Sequence, residues 1–196
     1  IVSAIQTIKG QGWPACFVFA YQEPWTLIER LFDIVAPIFG TDDIAIEPSV
    51  FAWSLDPPSG DTSLAGNNGF HLPHRDFTYD ETFAPDGSLS SLSVWIPLTD
   101  ARTDNGCMYV LPKEFDSLHN QPKSGSHLRC AVETRARPGG KGVGSVDIRF
   151  PLNGARPLDG PAGTFMAWHG NTIHWGSRCA SDAPFGRASI ACTFCR

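Results

Sequence analysis

Short runs of strand-forming residues, separated by turn signals, recur between residues 44 and 194. They fall at 44–55, 69–77, 91–98, 107–111, 145–152, 163–168, 172–175 and 187–194. A chain with at least seven such runs has few ways to bury them, and a sandwich or barrel is the usual solution. The 19 glycines and 16 prolines supply the turns and argue against a helical bundle. One amphipathic helix is legible: Leu27, Ile28, Leu31, Phe32 and Val35 recur at helical spacing after Pro24, and Pro37 with Gly40 closes it. The apolar run at 15–21 reads as a further strand. Residues 56–68 read as a loop, and 113–142 as a long connection. The expectation is an all-β-dominated jelly roll with one helix packed outside it. It forms a single domain over residues 1–196, long enough to bury roughly 70% of its unfolded surface.

The charge balance narrows the function. A net charge of −5 argues against a nucleic-acid partner. Residues 113–156 depart from the rest, with 4 acids against 8 bases. They read as a solvated loop, with a lip that attracts an anionic substrate or co-substrate as the functional alternative. No run approaches the roughly 18–20 apolar residues of a membrane helix. The chain opens on Ile1 with no basic-then-apolar leader, so a cytoplasmic protein trimmed at its N-terminus is expected. The six cysteines show no small-scaffold framework, and Cys192 with Cys195 reads as a pair of reduced thiols.

His74-Arg75-Asp76 places an imidazole and a carboxylate two positions apart. On a strand those side chains share a face, so both can bind one metal ion. A third ligand is then needed from elsewhere. His174, in the strand-like stretch WHGNTIHWGS at 168–177, is the natural choice, and His169 is its rival. Two imidazoles and one carboxylate on one triangular face leave open positions suited to iron(II), oxygen and a chelating co-substrate. Arg187 follows His174 by 13 residues, and Ser189 shares its strand face. A guanidinium beside a hydroxyl suits the far carboxylate of a dicarboxylate.

The segments HRD (74–76), SVWIPLTDARTDNGCMYVLP (93–112), WHGNTIHWGS (168–177) and GRAS (186–189) resemble the phytanoyl-CoA dioxygenase family of iron(II)- and 2-oxoglutarate-dependent oxygenases. The resemblance covers roughly residues 44–196. It implies a double-stranded β-helix, the jelly roll above, with iron on His74, Asp76 and His174 and 2-oxoglutarate on Arg187 and Ser189. It also implies that Trp95 lines the co-substrate pocket. The expected reaction is hydroxylation, or a related oxidation, of a small molecule by molecular oxygen with release of succinate and CO2. Relatives that halogenate lack the carboxylate ligand, whereas Asp76 is present here. Two segments depart from the family pattern: Leu111-Pro112-Lys113-Glu114-Phe115, and Cys179-Ala180. They bear on the substrate wall and not on the metal.

Two other readings stay open at this level. One is a non-catalytic jelly-roll module, and the other is a cupin-type metalloenzyme that does not use 2-oxoglutarate. His71 is expected to be structural or at the pocket rim, and His119 and His127 exposed. Trp53, Trp168 and Trp175 are expected to be core packing. Asp80 and Glu81 read as a solvated loop.

Overall fold

The computed structural model describes residues 1–57, 72–121, 131–136 and 143–196, and it begins with helix. Helix α1 (Val2–Gly10) buries only Ile5 and Ile8, too few positions to mark a helix in the sequence. The expected strand at 15–21 is instead a 3₁₀ turn, Ala15–Ala20. An apolar run alone does not distinguish the two. Here Pro14 precedes the run and only Val18 is buried, while the turn packs on α1, on α2 and on the first strand.

Helix α2 (Gln22–Phe39) buries Ile28, Leu31, Val35 and Phe39, one stripe at helical spacing. Each such side chain contributes about 1.5–3 kcal/mol by leaving water. Pro37 lies inside the last turn without ending it. The stop comes at Gly40, whose φ of 69° is the left-handed conformation that suits glycine.

The remaining regular elements are mostly strands, as expected. The elements are β1 (Ala45–Leu55), a short helix α3 (Tyr79–Thr82), β2 (Ser91–Pro97), β3 (Met108–Val110), β4 (Val132–Ala136), β5 (Val143–Ile148), β6 (Arg156–Leu158), β7 (Met166–His169), β8 (His174–Gly176) and β9 (Arg187–Cys195). They form a four-stranded sheet in the order β1-β9-β2-β7, a three-stranded sheet in the order β6-β3-β8, and the pair β4-β5. All pairings are antiparallel. Pro48, which cannot donate to the ladder, sits where the β1–β9 register slips between Ile46 and Val50.

The two faces of the four-stranded sheet have different tasks. Leu92, Val94, Ile96, Ile190 and Phe194 pack with α1 and α2 in the main core, where Phe32 meets Phe194 edge-to-face at 4.9 Å. The alternate residues of the same strands, among them Ser93, Trp95, Arg187 and Ala191, line a cavity on the opposite face. Strand β2 is therefore buried along its whole length.

The strand expected at 69–77 is not formed over its described part. Among residues 72–77 only His74 pairs, in an isolated bridge to His174, and residues 69–71 lie outside the described ones. The connection at 113–142 holds a 3₁₀ turn, Lys113–Phe115, and strand β4; residues 122–130 and 137–142, like most of the 56–68 loop, lie outside the described residues. No described helix is long and apolar enough to cross a membrane. The described cysteines are all free thiols, with Cys192 buried and Cys195 partly so. Burial pushes the Cys192 thiol up to about 12, so it stays protonated and inert.

Candidate metal centre

His74 and His174 are joined by a reciprocal pair of backbone hydrogen bonds, His74 N to His174 O at 3.0 Å and His174 N to His74 O at 2.9 Å. This bridge brings a loop histidine beside a strand histidine, with ring centroids 4.5 Å apart. Asp76 completes the group. Its Oδ1 lies 3.6 Å from His74 Nε2 and 3.5 Å from His174 Nε2. One donor atom from each of the three residues lies within 4.8 Å of the others.

The hydrogen bonds around the group set its chemistry. His74 Nδ1 lies 2.7 Å from the carbonyl of Leu72, and His174 Nδ1 lies 3.0 Å from the carbonyl of Thr172. A carbonyl only accepts, so each Nδ1 carries a proton, and in the neutral imidazole Nε2 is then left to present its lone pair inward. Ser93 Oγ donates to Asp76 Oδ2 at 2.6 Å, which leaves Oδ1 to face the two imidazoles. Two imidazole Nε2 atoms and one carboxylate oxygen are the donor set of a divalent first-row metal.

Strand geometry does not hold the HRD segment, contrary to expectation. A buried ion pair does so instead. Arg75, between the two candidate ligands, is 1% exposed. It donates to Asp116 Oδ2 at 2.5 Å, to Asp116 Oδ1 at 2.9 Å and to the carbonyl of Asn171 at 2.7 Å. Asn171 in turn donates to the carbonyl of His119 at 2.9 Å. Burial raises the Asp116 pKa, but His119 and Arg75 outweigh it and hold this carboxyl well below the usual range. His119 is buried by this network and is not exposed as expected.

Gly170 supplies the second anchor. Its carbonyl accepts from the backbone N–H of both Asp76 and Phe77 at 3.0 Å. A Cβ at position 170 would lie 2.5 Å from Ser91 Oγ and 2.7 Å from the Phe77 ring. Gly170→Ala is therefore expected to cost about 1–3 kcal/mol through overpacking and to weaken metal binding by displacing Asp76. Urea denaturation and a manganese(II) titration of the same sample measure both effects.

Arg187 and Ser189 share one face of β9, as expected, and both are buried. Arg187 Nη1 donates to Ser189 Oγ, and the guanidinium lies 5.1 Å from the centroid of the Trp95 ring. Among the described residues no carboxylate lies within ion-pair distance of Arg187. Its Nε also has no hydrogen-bond partner there, and neither has Trp95 Nε1. Burial lowers the Arg187 pKa to about 10, so the group remains a cation at neutral pH. A buried, unmatched guanidinium is costly, and an incoming anion would remove that cost. His74, Asp76, His174, Arg187 and Trp95 all line one cavity of about 210 Å³.

Other expectations fare unevenly. His169 is exposed and packs its ring against Phe83 at 5.0 Å, away from the three-residue group. Glu81 is not a bare loop carboxylate but closes a capping box with Thr78 at the start of α3. Trp53 and Trp168 line the cavity and are not core packing alone, whereas Trp175 packs against Leu111 and Ile173. His71 and His127 lie outside the described residues. Ser93 carried no signal in isolation. The SVW stretch could have marked it, because residues 93 and 95 share a strand face.

Residues 29–187 match the model of the phytanoyl-CoA dioxygenase (PhyH) family. No curated protein matches the chain. Similar solved structures include the non-heme monooxygenase ThoJ in its apo form, 20% identical with a TM-score of 0.54. That match covers 84% of this chain and 51% of ThoJ. The non-heme alpha ketoglutarate dependent epimerase SnoN from nogalamycin biosynthesis is 20% identical with a TM-score of 0.55, covering 88% of this chain and 57% of SnoN. EvdO2 from Micromonospora carbonacea var. aurantiaca is 15% identical with a TM-score of 0.52, covering 86% of this chain and 59% of EvdO2. At these identities the likeness is one of fold. The chain spans between 51% and 59% of the length of these three structures.

Proposed function

The chain belongs to the phytanoyl-CoA dioxygenase family, and from that membership we propose that it is an iron(II)- and 2-oxoglutarate-dependent dioxygenase. It hydroxylates a small-molecule substrate with molecular oxygen and releases succinate and CO2. The observation that carries this reading is the pairing, in one cavity, of a His-Asp-His group with a buried arginine that lacks a carboxylate partner among the described residues. A metal site alone would fit many chemistries. A metal site facing an unmatched guanidinium fits a co-substrate with a chelating end and a far carboxylate.

The strand order favours a double-stranded β-helix over residues 1–196 as one domain. β1-β9-β2-β7 forms one layer, and β6-β3-β8 forms the other, prolonged at β8 by the His74–His174 bridge. Every neighbouring pair in that order is antiparallel and joins strands far apart in sequence, as a jelly roll requires.

In this reading His74, Asp76 and His174 hold the iron. Iron(II) with 2-oxoglutarate supplies oxidative decarboxylation of the co-substrate coupled to oxidation of a bound substrate by oxygen. The chain's own residues bind and orient. The carbonyls of Leu72 and Thr172 keep both imidazoles in the ligating tautomer, and Ser93 fixes the Asp76 carboxylate. Arg187 receives the far carboxylate of 2-oxoglutarate, with the Ser189 hydroxyl beside it and the Trp95 indole under the guanidinium. Water is kept from Arg187 by the burial that also lowers its pKa.

Arg187→Met tests the co-substrate assignment. Each hydrogen bond to a charged group contributes about 1.5–3 kcal/mol, so losing two of them should weaken 2-oxoglutarate binding about 100-fold or more. Calorimetric titration of the iron(II)-loaded, oxygen-free protein measures this, and metal affinity should stay close to wild type. Equal 2-oxoglutarate affinity in the variant would remove Arg187 from the role.

A further inference from the structure

Once the metal group and Arg187 are assigned, the cavity has no charged side chain left among its described lining residues. Its largest remaining side chains are aromatic: Phe51, Trp53, Trp95 and Trp168. Phe51 and Trp53 lie on the same face of β1, two residues apart, with stacked rings 5.5 Å between centroids and 14° between planes. Phe51 is 49% exposed although it lines the cavity. Much of Phe51 therefore meets solvent, a costly exposure for a phenyl group. Trp168 lines the same cavity from β7, the opposite edge strand of the sheet, with its ring 4.9 Å from that of His174. The metal group thus lies in a slot with an aromatic wall on each sheet edge.

Resting on the dioxygenase reading above, we propose that Phe51 and Trp53 form the substrate-binding wall, and that the substrate presents an uncharged planar ring to it. Two parallel rings continue most readily into a third parallel ring, because offset stacking recurs at the same spacing. A ring laid on Phe51 would cover its exposed face and be held at the mouth of the slot that leads to His74, Asp76 and His174. An anionic substrate, the alternative suggested by the basic stretch at 113–156, finds among the described lining residues no cation beyond Arg187, which the co-substrate takes.

The test uses manganese(II)-loaded protein with 2-oxoglutarate, and three probes: 2-naphthol, 2-naphthoate and decan-1-ol. Calorimetry should detect 2-naphthol more strongly than either other probe. Phe51→Ala should weaken 2-naphthol binding by about fivefold to tenfold, the scale of one aromatic pair, and Phe51→Tyr should restore it. Position 51 is half-exposed, so the alanine variant should keep its unfolding midpoint. Equal 2-naphthol binding in wild type and Phe51→Ala would overturn the proposal, as would a preference for decan-1-ol or for 2-naphthoate. A 2-oxoglutarate titration of the wild type separates the two layers. If 2-oxoglutarate fails to bind while 2-naphthol still binds through Phe51, the dioxygenase reading falls and the aromatic wall stands.

Discussion

Asp76→Ala is expected to reduce iron-dependent succinate formation to below about one hundredth of the wild-type rate, with the fold intact. Partners that only orient a ligand typically contribute 10- to 100-fold in metal affinity or activity. Asp76 is placed to be a ligand itself, so its loss should exceed that range. Its Oδ1 is the atom that faces both imidazole Nε2 atoms, at 3.6 and 3.5 Å, and without it two neutral imidazoles remain. Ser93→Ala provides the graded comparison. It removes the 2.6 Å hydrogen bond to Asp76 Oδ2 but keeps all three donors, so a loss of about tenfold is expected. Metal content and succinate should be measured on the same preparations. Full turnover in Asp76→Ala would end the assignment.

The second large effect is on stability. Arg75→Met should destabilise the protein by about 3–5 kcal/mol, because it leaves the Asp116 carboxylate buried without its cation. For a chain of this size that is a fall in Tm of roughly 10 °C. The double variant Arg75→Met/Asp116→Leu removes both charges and should recover much of the loss, since a buried ion pair is often replaceable by apolar packing. Metal affinity should not recover with it. The guanidinium also ties the segment between His74 and Asp76 to the Asn171 carbonyl, and neither methionine nor leucine rebuilds that bond. Thermal unfolding and metal titration of the single and double variants separate anchoring from stability. Recovery of both quantities together would mean that Arg75 only stabilises the fold.

The candidate ligands were legible because their chemistry is rare in sequence. A His-x-Asp, a late histidine and an Arg-x-Ser are residue types that a core seldom needs, and the structure gathers His74, Asp76, His174 and Arg187 around one cavity. The reason for the convergence was not legible. The His-x-Asp stretch is not a regular strand, and its geometry comes from Arg75 meeting Asp116 across 41 residues and from Gly170 receiving two N–H groups. Such long-range pairings leave no periodic trace. The same limit hid the buried state of His119. Most strands were found because their alternation is local, with boundaries shifted by a few residues. The two N-terminal elements were missed or misread for a related reason: α1 has only two buried positions, and the run at 15–20 has one. The aromatic wall was also hidden, because Phe51 and Trp53 read like ordinary strand residues until the cavity beside them is known.

The most direct test of the central claim follows the carbon of 2-oxoglutarate. Wild-type protein with iron(II), oxygen and 1-carboxyl-labelled 2-oxoglutarate should release labelled CO2 in one-to-one ratio with succinate, and removal of iron or oxygen should stop both. Binding of 2-oxoglutarate with no CO2 release across a substrate panel would contradict the account and point to a non-catalytic module.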